Sequence, residues 1–284
     1  MINAPTALLL VGVLSSGSAF AQIDLSGSWA NKIRHENNVE EHADGDYAGT
    51  PINESDRLRG YTWNASLVTL PEHQCIPHGM EGIDNTTNLL VWTETDGESH
   101  KFIAYHMNAE WMNPHRIIYM DGRPHPPETA PHTFMGFSTG KYEGDVLTVE
   151  TTHVKESWLK RNGLERSEKA TVIEHFIRHV NYLERVILIR DPVYLTEPFI
   201  RSSTYVYDPT IAPFGPYPCE SVEEIVRPAG AVPANLPGTN STFNDWADHF
   251  GIPHEAAIGG AQTMYPEYRM RLRQLMKPAT SAQR

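Results

Sequence analysis

The chain has 284 residues, of which 35 are acidic and 23 are lysine or arginine, so its formal net charge is −12 at pH 7. A protein that neutralises nucleic-acid phosphates needs a basic face, and no cluster of lysine and arginine is present to form one. The same charge disfavours anionic membrane surfaces. Small molecules remain as the expected partners, and the oligomeric state stays open.

The first residues predict export. Residues 7–14 form a short apolar run, and Ala19 and Ala21 occupy the −3 and −1 positions that a signal peptidase reads. No lysine or arginine precedes the run, which departs from the usual pattern and leaves a frayed N-terminal tail as the alternative. We therefore expect a signal peptide over residues 1–21, cleaved after Ala21, and a periplasmic or secreted chain. No later stretch approaches the ~18 apolar residues of a membrane-spanning helix, so no membrane insertion is expected.

The two cysteines fit an oxidising compartment. An even cysteine count behind a signal peptide predicts a disulfide between Cys75 and Cys219, worth about 4 to 5 kcal/mol in the chain-entropy model. The alternative is a metal site formed by His73, Cys75 and His78, which needs a thiolate that survives oxidation.

Hydrophobic patterning predicts an all-β fold. Short β-branched or aromatic runs separated by turn residues predict strands, and two hairpins stand out because both of their flanks alternate. An early polar segment, residues 34–59, is typical of a surface excursion. The predicted strands cover residues 67–70, 89–95, 101–106, 116–120, 133–142, 146–152, 169–179, 183–191 and 199–207.

Strands joined by short turns without intervening helices indicate an antiparallel meander that closes into a lipocalin-like barrel or a curled sheet. We expect this β-barrel domain over residues 22–226. Residues 227–284 then form a linker and an extension packed on the barrel, with a short C-terminal helix over residues 266–276.

Several motifs carry a resemblance. The segments 116–126 (RIIYMDGRPHP), 135–151 (MGFSTGKYEGDVLTVET) and 191–198 (DPVYLTEP) resemble a widespread family of exported bacterial proteins of unassigned function, whose members begin near a D-L-S-G-x-W segment, here residues 24–29. The family often has histidine where this chain has Phe137. The G-x-W element of Gly27 and Trp29 is also similar to the opening of lipocalin-type barrels, which implies a buried Trp29 at the closed end and one small ligand in the interior.

The sequence has 14 histidines, and the densest group lies around the Pro-rich loop that follows residue 120. Asp121, His125 and His132 are candidates for acid and base chemistry, because a carboxylate beside an imidazole tunes its pKa towards neutrality. Arg123 completes this candidate catalytic set. The same residues suit a two-histidine, one-carboxylate metal site, and they equally suit plain turn chemistry, with Arg123 paired to Glu143 or Asp145. Candidate ligand-binding residues in the barrel are His106, His115, Tyr119, Glu150, His153 and His175.

The leading hypothesis is an enzyme without an organic cofactor, a lyase, isomerase or hydrolase that acts on an apolar or aromatic molecule held in the barrel. A non-catalytic carrier for an apolar ligand and an enzyme that uses a divalent metal remain as alternatives. The string G-x-S-x-G at residues 136–140 is expected to be accidental, because a nucleophile elbow needs a helix after the strand.

Overall fold

A computed structural model describes residues 24–31, 43–85, 88–220, 222, 225–232 and 234–276. The predicted signal peptide lies outside these residues. Within them the strands are β1 (Gly27–Ala30), β2 (Asn88–Thr95), β3 (Phe102–Ala109), β4 (His115–Tyr119), β5 (Phe137–Glu143), β6 (Val146–Thr152), β7 (Ser157–Lys160), β8 (Leu164–Arg166), β9 (Thr171–His179), β10 (Tyr182–Arg190) and β11 (Phe199–Tyr207).

Nine of these strands close into a barrel in the order β1-β11-β10-β9-β6-β5-β4-β3-β2. Closure occurs at β1, which pairs antiparallel with both β2 and β11. Strands β7 and β8 form a separate hairpin outside the barrel. The predicted all-β barrel is therefore confirmed.

One pair of strands does not follow the predicted antiparallel meander. Strands β4 and β5 run parallel, and only Ile118 and Tyr119 of β4 are in register with β5. The segment between these strands, residues 120–136, contains the Pro-rich loop and carries the chain back to the end at which β4 began. A crossover of this length allows a parallel pair, so the barrel is mixed.

Buried side chains line the barrel interior. Alternate residues point inwards, for example Val172, Glu174 and Phe176 of β9 and Leu183 and Arg185 of β10, and all five are buried. Trp29 is buried among them as predicted, and its Nε1 donates a hydrogen bond to the carbonyl of Leu25 (3.0 Å). The expectation of a ligand inside the barrel stays a prediction.

Residues before β2 pack against the buried side chains of the barrel. A 3-10 helix, Met80–Asn85, contributes buried Met80 and Ile83 to the two main core clusters. Its backbone is bonded to the barrel, because Arg185 Nη2 donates to the Met80 carbonyl (2.8 Å) and Tyr205 Oη donates to the Ile83 carbonyl (3.4 Å). The strand predicted at residues 67–70 is wrong, since Ala65–Thr69 forms a 3-10 helix capped by the Asn64 side chain.

The predicted surface excursion is also wrong for the residues that the structure describes. Tyr47 is fully buried, and the helix α1 (Glu54–Tyr61) is capped by Asn53, whose side chain accepts from the backbone of Ser55 and Asp56. Polar residues outnumber apolar ones in this segment. Hydrophobic periodicity therefore could not reveal that a few buried side chains anchor the segment. A short helix α2 (Pro71–Gln74) follows.

The disulfide between Cys75 and Cys219 is present, with Cα atoms 5.7 Å apart, as predicted. It excludes the alternative in which Cys75 is a metal ligand beside His73 and His78.

The described helices of the C-terminal part are α3 (Asp245–Phe250), α4 (His254–Ala257), a 3-10 helix (Gly260–Met264) and α5 (Tyr268–Leu275). No helix among the described residues is both long and apolar enough to cross a bilayer.

The predicted terminal helix exists but buries no residue. The C-terminal part packs instead through Phe243 and Ile258, which lie against the second core cluster, and through Ala257, whose carbonyl accepts from the Tyr47 backbone (2.9 Å). The extension is thus joined to the barrel by the segment around Tyr47.

Two carboxyl groups, those of the buried Asp56 and the half-buried Glu165, predict an unusual pH dependence of stability. Burial raises the pKa of Asp56 to about 7 and that of Glu165 to about 8. Because the folded protein holds these protons in a range where the unfolded chain has lost them, its free energy of unfolding falls as pH rises from about 5 to 8, by at most about 1.4 kcal/mol per pH unit for each group. We expect Asp56→Asn to flatten this fall, as measured by urea unfolding at pH 5 and pH 8.

The control for this prediction is Asp145→Asn, which changes an exposed turn carboxylate. It should leave the pH dependence of the wild type intact. Equal slopes for all three proteins would show that Asp56 does not titrate as described.

Candidate functional site in the barrel wall

The predicted acid and base partners Asp121 and His125 are not brought together. Both carboxylate oxygens of Asp121 bond the guanidinium of Arg123, and these hydrogen bonds lower the pKa of Asp121. Arg123 also lies over the Tyr119 ring, 3.8 Å from its centroid. Arg123 therefore pairs with Asp121, not with Glu143 or Asp145, and Asp121 is an ionised, exposed carboxylate.

His125 is held by two threonines on the outer wall of the barrel. Its Nδ1 lies 2.7 Å from Thr152 Oγ1, and its Nε2 lies 2.8 Å from Thr139 Oγ1. Burial lowers its pKa despite an opposing contribution from Glu150. Both ring nitrogens are thus occupied, so this histidine attaches the Pro-rich loop to strands β5 and β6.

His153 and His132 extend the same attachment. The Nδ1 of His153 lies 2.7 Å from Thr152 Oγ1, and its Nε2 lies 3.0 Å from the Pro127 carbonyl, which can only accept. His132 Nδ1 contacts the Val154 carbonyl at 2.9 Å. The two rings meet edge to face with centroids 5.3 Å apart. These contacts fix the loop across the outer wall of the barrel.

Two further predicted ligand-binding residues lie on outward positions. Glu150 is exposed on β6, and His175 of β9 bonds Thr148 Oγ1 (3.0 Å) beside it. Their chain neighbours Val149 and Glu174 are the residues that face the interior. Among the described residues no group of three histidine, cysteine or acidic side chains could hold a metal ion, so Asp121, His125 and His132 are not gathered into the metal site considered above.

A second histidine pair, on β3 and β4, has a different arrangement. His106 Nε2 lies 2.7 Å from Glu94 Oε2, and His106 Nδ1 lies 2.9 Å from His115 Nε2. The Trp92 ring is nearly parallel to both imidazoles, at centroid distances of 5.3 and 5.6 Å. These four residues lie on the outer face of adjacent strands β2, β3 and β4.

Glu94, His106 and His115 form a hydrogen-bonded relay. The direction of each of its two hydrogen bonds follows from the Glu94 carboxylate. A carboxylate oxygen accepts hydrogen bonds, so His106 donates to Glu94 from Nε2 and offers the lone pair of Nδ1 to His115. His115 must then donate from Nε2, which leaves the lone pair of its own Nδ1 available. Burial, followed by the nearby His106, lowers the pKa of His115, so the imidazole is neutral at pH 7 and able to accept a proton.

His115 borders a cleft of about 490 Å³ in the barrel wall. Strands β4 and β5 are paired at only two positions. The cleft lies on the N-terminal side of these positions, where β4 and the segment before β5 diverge. Most of its lining side chains are apolar or aromatic: Pro77, Met112, Pro114, Ile117, Tyr119, Phe134, Met135 and Phe137, with Asn113, His115, Arg116, Thr133 and Gly136 completing the wall. A volume and lining of this kind are typical of small-molecule sites.

The turn at the edge of the cleft is strained. Met112 and Asn113 have consecutive positive φ angles of 59° and 50°, a conformation that costs free energy for residues other than glycine. The turn is held by Asn113, whose side chain accepts from Asn108 Nδ2 (2.6 Å). Such strain is commonly found at functional sites.

Behind the cleft, the barrel interior contains a buried charge cluster. Arg116 and Arg185 both bond the carboxylate of Glu174, and all three side chains are at most 1% exposed. Arg116 also donates to Ser138 Oγ (3.1 Å) and Thr151 Oγ1 (2.8 Å). Burial alone raises the pKa of Glu174, but the two guanidinium groups outweigh it, so the carboxyl pKa is lowered.

Sequence reasoning had considered His106 and His115 only as ligand-binding candidates, and it missed Glu94 and the Arg116–Glu174–Arg185 cluster. One signal was available. Glu174 alternates with Val172 and Phe176 in β9, and a charged residue in an otherwise apolar alternation indicates a buried charge that requires partners. Arg185 lies across the predicted hairpin from Glu174, but Arg116 lies on β4, which does not pair with β9, so the sequence could not name Arg116.

Comparisons of the chain with protein-family models, with curated proteins and with solved structures give no match. Two of the motifs noted in the sequence contribute to the buried cluster: the segment 116–126 begins with Arg116, and the segment 135–151 contains Ser138 and ends with Thr151.

Proposed function

We propose that the protein is an exported enzyme that transfers a proton on an apolar or aromatic small molecule bound in the wall cleft, without an organic cofactor. The observation that carries this proposal is the Glu94–His106–His115 relay, which ends in a neutral imidazole at the edge of the cleft. The reaction class is that of a lyase or an isomerase, in which His115 is the general base.

The relay supplies what a general base requires. When His115 Nδ1 takes a proton from the bound molecule, the positive charge that forms is stabilised through His106 by the carboxylate of Glu94. The same contacts hold the His115 ring in one tautomer and one orientation. A pKa below its usual value keeps His115 unprotonated near pH 7, which is the state that accepts the proton.

The apolar lining of the cleft supports the choice of substrate. Phe134, Met135 and Phe137 offer aromatic and thioether contacts to an apolar body. The same lining supports a carrier that binds such a molecule without converting it, and this is the second candidate function. The two differ in whether the relay acts on the ligand.

We also propose that the chain is exported and that it is related to the exported bacterial family noted above. The disulfide fits an oxidising compartment, and the motifs at residues 116–126 and 135–151 support a relation to the exported family noted above. A lipocalin-like relation is supported by the closed barrel and by buried Trp29, although the parallel β4–β5 pair departs from an up-and-down barrel.

The test begins with a panel of apolar and aromatic compounds screened by the rise in thermal unfolding midpoint of the mature chain. Compounds that bind are then incubated with the protein in D2O, and NMR follows the exchange of their carbon-bound protons and the appearance of products. Because His115 is exposed, a proton that it abstracts exchanges with solvent. Binding with neither exchange nor product would favour the carrier, and no binding by any compound that fits the cleft would contradict both candidates.

A further inference from the structure

An arginine outside the wall cleft lies over two tryptophan rings. The guanidinium carbon of Arg161, in the turn between β7 and β8, is 5.2 Å from the ring centroid of Trp111 and 5.5 Å from that of Trp158. The His78 ring contacts both tryptophan rings, at centroid distances of 4.5 and 5.7 Å. An arginine over a tryptophan face is a favourable cation–π contact, so packing among these rings fixes the position of the guanidinium group.

The N–H groups of Arg161 have no acceptor in the part of the chain that the structure describes. There, Arg161 forms ring contacts but no hydrogen bond and no ion pair. The residue is half-buried, and none of its nitrogens is among the buried polar atoms that lack a partner, so these N–H groups reach solvent. Burial lowers the pKa of Arg161, and Tyr217 opposes this effect only in part. The positive charge is thus partly removed from water without a carboxylate partner, which is unfavourable until an anion binds.

A third aromatic side chain, Tyr217, stands beside this arginine. It is close enough to Arg161 to act on its charge, and it is 43% exposed. The segment of Tyr217 is fixed at two points, because Cys219 forms the disulfide and the Gly215 carbonyl accepts from Asn113 Nδ2 (3.4 Å). The tyrosine therefore offers an exposed ring and a hydroxyl group at a fixed place next to the guanidinium group.

We propose that Arg161 is a binding site for the carboxylate of a small organic acid, separate from the wall cleft and independent of the proposed function. The planar guanidinium group presents paired N–H donors that match the two oxygens of a carboxylate. Its single positive charge balances the single negative charge of a carboxylate. No second cation among the described residues acts on Arg161, so a phosphate dianion would remain unbalanced. The exposed Tyr217 ring provides a contact for the apolar body of the acid.

The separation from the cleft follows from the lining residues. Pro77 and Met112 line the cleft, whereas their chain neighbours His78 and Trp111 contact each other beside Arg161. Arg161 itself does not line the cleft. The two sites therefore have different lining side chains, although two chain segments contribute to both, and substitutions can test each site alone.

The test compares benzoate with benzamide, its neutral analogue, on the full mature chain. Dissociation constants are read from the indole N–H signals of Trp111 and Trp158 in ¹⁵N–¹H NMR titrations, for the wild type, Arg161→Met and Arg190→Met. Arg190 is the matched control, because it is an exposed arginine at the end of β10 with no ring contact among the described residues. We expect benzoate to bind at least about tenfold more tightly than benzamide, a preference that Arg161→Met removes and Arg190→Met retains.

Further arms separate the possible results. Thermal unfolding checks the fold of each variant, and Arg161→Lys replaces Arg161→Met if the latter does not fold. We expect the lysine variant to lose most of the preference, because lysine lacks the planar fork. Phe137→Ala changes the cleft and should leave the preference unchanged, so failure of the cleft and failure of this site are distinguishable.

Four results overturn the inference. Equal binding of benzoate and benzamide by the wild type is the first, and a preference that persists in the Arg161 variant is the second. A preference that Phe137→Ala removes would place the acid in the cleft. Binding of chloride as tightly as benzoate would identify a free-ion site.

Discussion

Replacing His115 with glutamine should reduce turnover of the identified substrate by about 10² to 10⁴, the usual loss on removal of a general base, or about 3 to 5 kcal/mol of transition-state stabilisation. Glutamine retains a donor for the contact to His106 Nδ1 but has no lone pair of comparable basicity. Because His115 is exposed, the substitution should leave the free energy of unfolding nearly unchanged. The measurements are kcat and KM, with urea unfolding as the check on the fold.

Two comparisons make this result specific. His179→Gln changes an exposed histidine at the end of β9 and should have no effect on turnover. Glu94→Gln should lower kcat and move the acidic limb of the pH–rate profile to lower pH, because removal of the carboxylate disfavours the protonated imidazole. Wild-type turnover in the His115 variant would remove this residue from the mechanism.

The same assay decides between the two histidine networks. If the Pro-rich loop carries the chemistry, His125→Ala abolishes turnover and His115→Gln does not. The contacts of His125 with Thr139 and Thr152 favour attachment of the loop instead. We therefore expect His125→Ala to lower stability while turnover by the folded protein persists.

Replacing Glu174 with glutamine should destabilise the protein by about 3 to 5 kcal/mol. The substitution leaves Arg116 and Arg185 buried beside each other without their shared carboxylate, and breaking a buried ion pair in this way leaves uncompensated charge in the core. Urea unfolding of the wild type and the variant at the same pH gives the difference directly. A loss below about 1 kcal/mol would mean that the two guanidinium groups find other compensation.

Glu150→Gln is the matched control for this prediction. Glu150 lies on β6 and is in register with Ile173 of β9, the residue before Glu174. The Glu150 side chain faces solvent. The same chemical change on the outer face should therefore alter stability by no more than about 0.5 kcal/mol. The contrast isolates burial of the charge from the chemistry of the substitution.

Local sequence patterns were sufficient to predict much of the secondary structure of this protein. Alternation and turn dipeptides located the hairpin around Gly144 and the hairpin between β9 and β10, because strand period and turn chemistry are properties of neighbouring residues. The disulfide was predicted from an even cysteine count behind a predicted signal peptide. The segment from Tyr47 to Leu70 was misread, because helix caps and a few buried anchors in a polar stretch leave no periodic signal.

The sequence by itself determined that β9 and β10 alternate and that Glu174 falls on the apolar side of that alternation. Only the tertiary structure decided which groups surround Glu174 and how the candidate site is assembled. The parallel β4–β5 pair opens the wall cleft. Barrel closure brings Arg116 of β4 to the carboxylate that Arg185 bonds across the β9–β10 hairpin. The register of β2, β3 and β4 aligns Glu94, His106 and His115. Arg116 and Glu174 are 58 positions apart in the sequence, and their contact depends on closure of the whole sheet, which no local pattern encodes.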